Sequence, residues 1–135
     1  MAISMRIAID TNIVTALMRG QLEAKFPLIK LPDELYIPLT VFAEARFGIL
    51  TGGNPDKYMP VLDGLISRSS VHLGSGITLE TAKVYAELRA YLKKHGTPVS
   101  PNDLWIAAEC VEQNFVLLTL DSDFDKMPQV RRLSI

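Results

Sequence analysis

A chain of 135 residues is long enough to bury the core of one domain and short for two. Apolar residues make up 48% and charged residues 21%, which excludes a disordered chain. The formal net charge of −1 excludes nucleic-acid binding through bulk positive charge and leaves it to local patches or bound cations. The opening stretch MAISMRIAID has no apolar run that reads as a signal peptide or a membrane span. Residues 7–9 read as a short strand cut off by Asp10, Thr11 and Asn12. Ile13, Val14, Leu17 and Met18 then form a helical stripe that stops at Gly20. A second short helix is expected over residues 22–31, ended by Pro32. Leu35, Tyr36 and Ile37 make a second strand, closed by Pro38. Thr40 is placed to cap the next helix, with Val41, Ala45 and Ile49 on one face and Glu44 in its opening turns. Tyr58, Leu62, Leu65 and Ile66 suggest a further helix, weakened near Pro60, and residues 71–73 a minimal strand.

The clearest long helix runs over residues 78–94, with Ala82, Tyr85, Leu88 and Leu92 inward, and ends at Gly96. Lys83, Arg89, Lys93 and Lys94 fall on its wet face, where they are also able to meet a polyanion. After it, Leu104, Ala107, Ala108 and Val111 share one helical face, residues 115–118 form a buried strand, and residues 130–135 supply a last edge strand. The single cysteine, Cys110, reads as core packing; one cysteine allows no internal disulfide, which suits a reducing cytoplasm.

Strands alternating with helices predict an α/β fold: one domain over residues 1–135, with a mostly parallel central sheet, right-handed crossovers and helices on both faces, in three layers. A helix packed back on a parallel sheet runs against the strands, so its first turn lies over the edge where they end. That topology sends four acids to one edge: Asp10 after the first strand, Glu44 after the second, Asp103 in a helix's first turn, and Asp121 after a strand. Each has a structural use: Asp10 suits a helix cap, Ser100-x-x-Asp103 matches a capping box, Glu44 a solvated helix position, and Asp121 a turn. Asp123 either joins the cluster as an auxiliary acid or closes a turn. Four like charges in one cleft repel, and a hard divalent cation with oxygen ligands, Mg²⁺ or Mn²⁺, removes the repulsion. Thr11, Asn12, Thr40 and Thr119 stand beside the acids as groups able to orient carboxylates or water.

The segments IDTN at 9–12, TVFAEARFG at 40–48, PNDLWIAA at 101–108 and LLTLDSDF at 117–124 resemble the PIN domain, above all the VapC-type toxins of prokaryotic toxin–antitoxin pairs. Asp10, Glu44, Asp103 and Asp121 match the family's acidic quartet, and Asn12 and Thr119 its polar companions. The resemblance implies a cytoplasmic, metal-dependent endoribonuclease that forms a homodimer and is held by a cognate antitoxin protein. Asp10, Asp103 and Asp121 are then the metal ligands, with Glu44 either a fourth ligand or the group that positions the attacking water. Two other classes fit parts of the pattern. A catalytically silent PIN-like interaction domain would not need the full set of acids. A phosphohydrolase with an aspartyl nucleophile usually carries a second Asp two residues on, where this chain has Asn12.

Overall fold

The computed structural model describes residues 5–134. Five strands form one parallel sheet: β1 (Arg6–Ile9), β2 (Leu35–Ile37), β3 (Val71–Leu73), β4 (Phe115–Thr119) and β5 (Arg132–Ser134), in the spatial order β3-β2-β1-β4-β5. Ala8 stands opposite both Tyr36 and Leu117, so β1 is the central strand. Every residue of β4 is buried, and Ile7, Ala8 and Ile9 are too, as expected where helices cover both faces. The expected edge strand lies at Arg132–Ser134; residue 135 falls outside the described residues.

Six helices connect the strands: α1 (Thr11–Met18), α2 (Leu22–Lys25), α3 (Leu39–Thr51), α4 (Pro55–Ile66), α5 (Leu79–His95) and α6 (Pro101–Glu112). None of them is long and apolar enough to cross a membrane. Most boundaries follow local chemistry. Thr78 caps α5 through the Thr81 N–H, and Thr81 returns the bond, while Gly96 ends the helix at φ 63°. Ser100 caps α6, with Pro101 at its first position. Cys110 is buried in α6, and burial pushes its thiol up, away from the reactive thiolate.

Two local expectations are corrected. The helix expected over 22–31 stops at Lys25, because Pro27 disfavours helical backbone at Phe26 and offers no N–H of its own. Thr40 does not cap α3. That helix begins one residue earlier, after Pro38, and has no cap from a neighbouring side chain. The acceptor comes from α6 instead: Glu109 Oε2 takes the Thr40 N–H at 3.4 Å. Glu109 is fully buried, its Oε1 has no hydrogen-bond partner, and burial raises its carboxyl above the ordinary value against the opposing bonds from Thr40. It thus anchors the start of α3 to the core. Glu109→Ala should leave the Thr40 N–H unsatisfied and cost about 1–3 kcal/mol in urea unfolding, whereas Glu109→Gln, which keeps an acceptor, should cost less than about 1 kcal/mol. Equal losses would mean that this acceptor does not anchor α3.

Candidate metal and active site

The sheet order reverses at β1: the chain steps outward to β2 and β3, then returns to β4 on the other side. The connections leaving β1 and β4 therefore diverge and open a crevice, the position where open α/β sheets hold their ligands. Asp10 follows β1 and Asp121 lies two residues past β4.

Asp10 is 5% exposed and caps α1, its Oδ1 accepting the Ile13 N–H at 3.2 Å. Its Oδ2 accepts the Thr119 hydroxyl. The same Thr119 oxygen accepts the Asp121 N–H at 2.9 Å, so one hydroxyl ties the ends of both strands together. Burial raises the Asp10 carboxyl; the bonds from Thr119 and Ile13 oppose the shift, and the charge of Asp121 adds to it.

Glu44 reaches the same edge from α3. Its Oε1 accepts the Thr11 hydroxyl at 2.7 Å and its Oε2 the Asn102 amide at 2.9 Å. Asp103, next to Asn102, gives its N–H to Ser100 Oγ at 3.2 Å. The return bond that a capping box would add, from the Ser100 N–H to the Asp103 carboxylate, is absent among the described residues, so that carboxylate faces the cleft without this tie. Burial raises the Asp103 carboxyl, the Ser100 hydroxyl opposes this, and the charges of Asp121, Glu44 and Asp123 push further upward.

After Asp121 the chain makes a 3-10 turn, Ser122–Lys126. Asp121 Oδ1 accepts the Asp123 N–H at 2.9 Å, which turns Asp123 back toward the cleft. Carboxylate oxygens of Asp103, Asp121 and Asp123 lie within 4.8 Å of one another, and all three residues are half-buried. Asp10, Thr11, Asn12, Glu44 and Asp103 line an adjoining cleft of about 170 Å³ with Ile106 and Phe124 behind them.

All four acids of the expected quartet thus meet at one edge, and Thr119 touches two of them. Asn12 contributes a place on the cleft wall, while Thr40 turns away to Glu109. Asp10 is not among the three residues whose oxygens cluster most closely; Asp123 is. Asn102 is a site residue that sequence does not mark, because an Asn in a helix's first turn reads as a surface residue. Its one signal is its place beside Asp103. His72 pairs with Glu34, and His95 bonds the Tyr91 carbonyl, both outside the site. Asp125 pairs with Arg132 at the surface.

The PIN domain sequence profile matches residues 7–130. Ribonuclease VapC of Rickettsia bellii is 30% identical over 132 residues, covering 97% of each chain. The solved structure of DNA-bound VapBC from Salmonella typhimurium superposes with a TM-score of 0.79 at 24% identity, covering 97% of this chain and 98% of that one, a likeness of fold. VapBC-5 from Mycobacterium tuberculosis, of the VapBC family of toxin–antitoxin systems, gives a TM-score of 0.72 at 25% identity over 98% of this chain and all of that one. With its carboxylates gathered where the sheet order reverses and a profile match that runs from β1 to the turn before β5, this chain belongs to the PIN domain family.

Proposed function

We propose that this protein is a metal-dependent endoribonuclease that hydrolyses RNA phosphodiester bonds, the toxin of a toxin–antitoxin pair. The observation that carries the reading is the meeting of Asp10, Glu44, Asp103 and Asp121 at the crevice between β1 and β4. Relatives named ribonuclease VapC, and toxin–antitoxin complexes among the structural neighbours, support the substrate and the antitoxin partner. A homodimer acting in the cytoplasm belongs to the same proposal.

The residues fit a divalent cation. Asp103, Asp121 and Asp123 offer three hard oxygen donors within 4.8 Å, no cation but Lys126 pairs with any of them among the described residues, and Asp10 lines the wall beside them. Mg²⁺ or Mn²⁺ held by Asp103 and Asp121, with Asp10 or Asp123 completing the set, would supply Lewis acidity toward the phosphate and make a nearby water more acidic. The chain's own groups do the rest. Thr119 fixes Asp10 against Asp121. Thr11 and Asn102 hold both oxygens of Glu44 through neutral donors, which orients the carboxylate to accept a hydrogen bond from the attacking water. Hydrolysis replaces the bond from phosphorus to a sugar oxygen with one to the water oxygen; the attacking water's proton passes to a cleft carboxylate, and the sugar oxygen leaves as a hydroxyl with a proton taken from solvent. His72 and His95 are both engaged away from these carboxylates.

Asp10→Asn and Asp103→Asn should each lower RNA cleavage by about 10²-fold or more, since each removes charge aimed at the reacting centre. Their circular dichroism should match wild type, because the α1 cap retains an oxygen acceptor and the α6 cap is Ser100. Wild-type turnover by purified Asp103→Asn would remove that acid from the mechanism. Expression of the wild-type chain alone should arrest growth of a bacterial host, and Asp10→Asn should not. Equal growth at matched soluble expression would count against a toxin.

The electrostatics give a separate expectation. The Asp10 and Asp103 carboxyls are raised above their ordinary value of about 3.9. The folded, metal-free chain therefore holds more protons than the unfolded chain, and its stability should fall as pH rises from the ordinary value through the raised ones. At neutral pH, Mg²⁺ or Mn²⁺ at a hundredfold excess over Kd should restore about 2.7 kcal/mol. Asp121→Asn should raise the melting temperature of the chelated protein and shrink the metal response. A chelated Asp121→Asn protein that melts lower, with no metal shift in wild type, would return these acids to purely structural roles.

A further inference from the structure

Beside the acidic edge, on the other side of the first turn of α6, lies a groove of about 540 Å³ between α5 and the connection over residues 96–100. Tyr85, Leu92, Val99 and Leu104 supply an apolar floor, and Arg89 and Lys93 stand on its rim. The size is that of a small-molecule or nucleotide pocket. Tyr85 is held flat against Trp105, ring centroids 3.9 Å apart, which fixes an aromatic surface at the groove.

The two rim cations need an explanation. They stand four residues apart on one helix face, a spacing at which like charges repel. Neither forms an ion pair among the described residues. Lys93 and Lys94 suit the negative end of α5, but that effect fades within the last turn and does not reach Arg89, seven residues before Gly96. A chain with net charge −1 therefore leaves an unpaired cationic pair over an apolar floor.

The groove adjoins the acidic site through the first turn of α6. Pro101 and Leu104 on its wall belong to the same helical turn as Asn102 and Asp103. Lys126 Nζ lies 3.4 Å from the Pro98 carbonyl on the groove side and 3.1 Å from Asp123 Oδ1 on the site side. A strand with its scissile phosphate at the carboxylates would pass Lys126 and reach Arg89 and Lys93.

We propose that this groove seats the single-stranded RNA flank next to the scissile bond, with a base on the apolar floor and its phosphates against Arg89 and Lys93. The proposal rests on the endoribonuclease reading and names how that site holds its substrate. Exposed cations beside a fixed aromatic match single-stranded RNA, which offers stackable faces and regular charge. A protein partner or second copy would need carboxylates placed opposite both cations, whereas single-stranded RNA supplies a phosphate at every nucleotide.

The test measures binding of a fluorescent single-stranded oligoribonucleotide to full-length protein carrying Asp103→Asn to suppress cleavage. Adding Arg89→Ala and Lys93→Ala should weaken binding at least tenfold and lower the slope of log K against log salt by about 1.4, the loss of two phosphate contacts on a single strand. Arg89→Lys should keep most of the affinity. Light scattering on the same samples reports oligomeric state. Unchanged affinity and slope would overturn the proposal. So would weaker binding seen only together with loss of an oligomer, because the groove would then be a contact between copies. Cleavage by wild type is scored separately: a chain that binds RNA through Arg89 and Lys93 yet never cleaves it keeps the groove and loses the nuclease reading, and the reverse result does the opposite.

Discussion

The structure turns on the Thr119 hydroxyl. It donates to Asp10 at the end of β1 and accepts the Asp121 N–H beyond β4, joining two strands exactly where their connections part. β1 and β4 pair along their length, from Arg6 against Phe115 to Ile9 against Leu118. Without that tie, a crevice opened by the change in strand order would leave two acids on separately moving loops. With it, the acids are set by the most buried part of the sheet.

The groups that hold the carboxylates are nearly all neutral. Asp10 is met by Thr119 and the Ile13 N–H, Glu44 by Thr11 and Asn102, Asp121 by the Asp123 N–H. Neutral hydrogen bonds contribute about 0.5–1.5 kcal/mol each. Two carboxylates 5 Å apart repel by about 3 kcal/mol at an effective dielectric of 20. The bonds therefore orient the acids without offsetting their repulsion, and Lys126, the one cation paired at the site among the described residues, answers only Asp123. An arrangement tuned for stability would have used more cations. Leaving the charge in place suits a site completed by an ion.

How much of this was legible in the sequence depended on distance along the chain. Strand ends and helix starts are local, so Asp10, Glu44, Asp103 and Asp121 could be carried to one edge from periodicity and topology. Asn102 was hidden because its partner Glu44 lies 58 residues away and nothing local distinguishes it from a surface Asn. Asp123 reads from sequence as either an auxiliary acid or a turn closer, and the 3-10 turn brings its oxygen back beside Asp103 and Asp121. The second helix ends at Lys25 rather than at Pro32, because Pro27 already breaks the backbone. The cationic rim of α5 was visible, but a wet helix face and a phosphate contact look alike until the groove beside them is formed.

Thr40 shows the same limit and also explains how the site stays in register. A Thr after Pro38 looks like a helix cap, yet α3 takes its acceptor from Glu109, 69 residues away. The consequence reaches the chemistry. α6 holds α3 at two points: Glu109 grips the first turn through Thr40, and Asn102 grips Glu44 one turn further along. Asp103 sits on the same α6, next to Asn102. The position of Glu44 relative to Asp103 is thus fixed by one rigid helix, although the two acids come from different crossovers of the sheet. A buried carboxyl with one oxygen unpartnered is a poor device for stability alone. Its presence in the last turn of α6 is understandable if what it secures is the placement of Glu44.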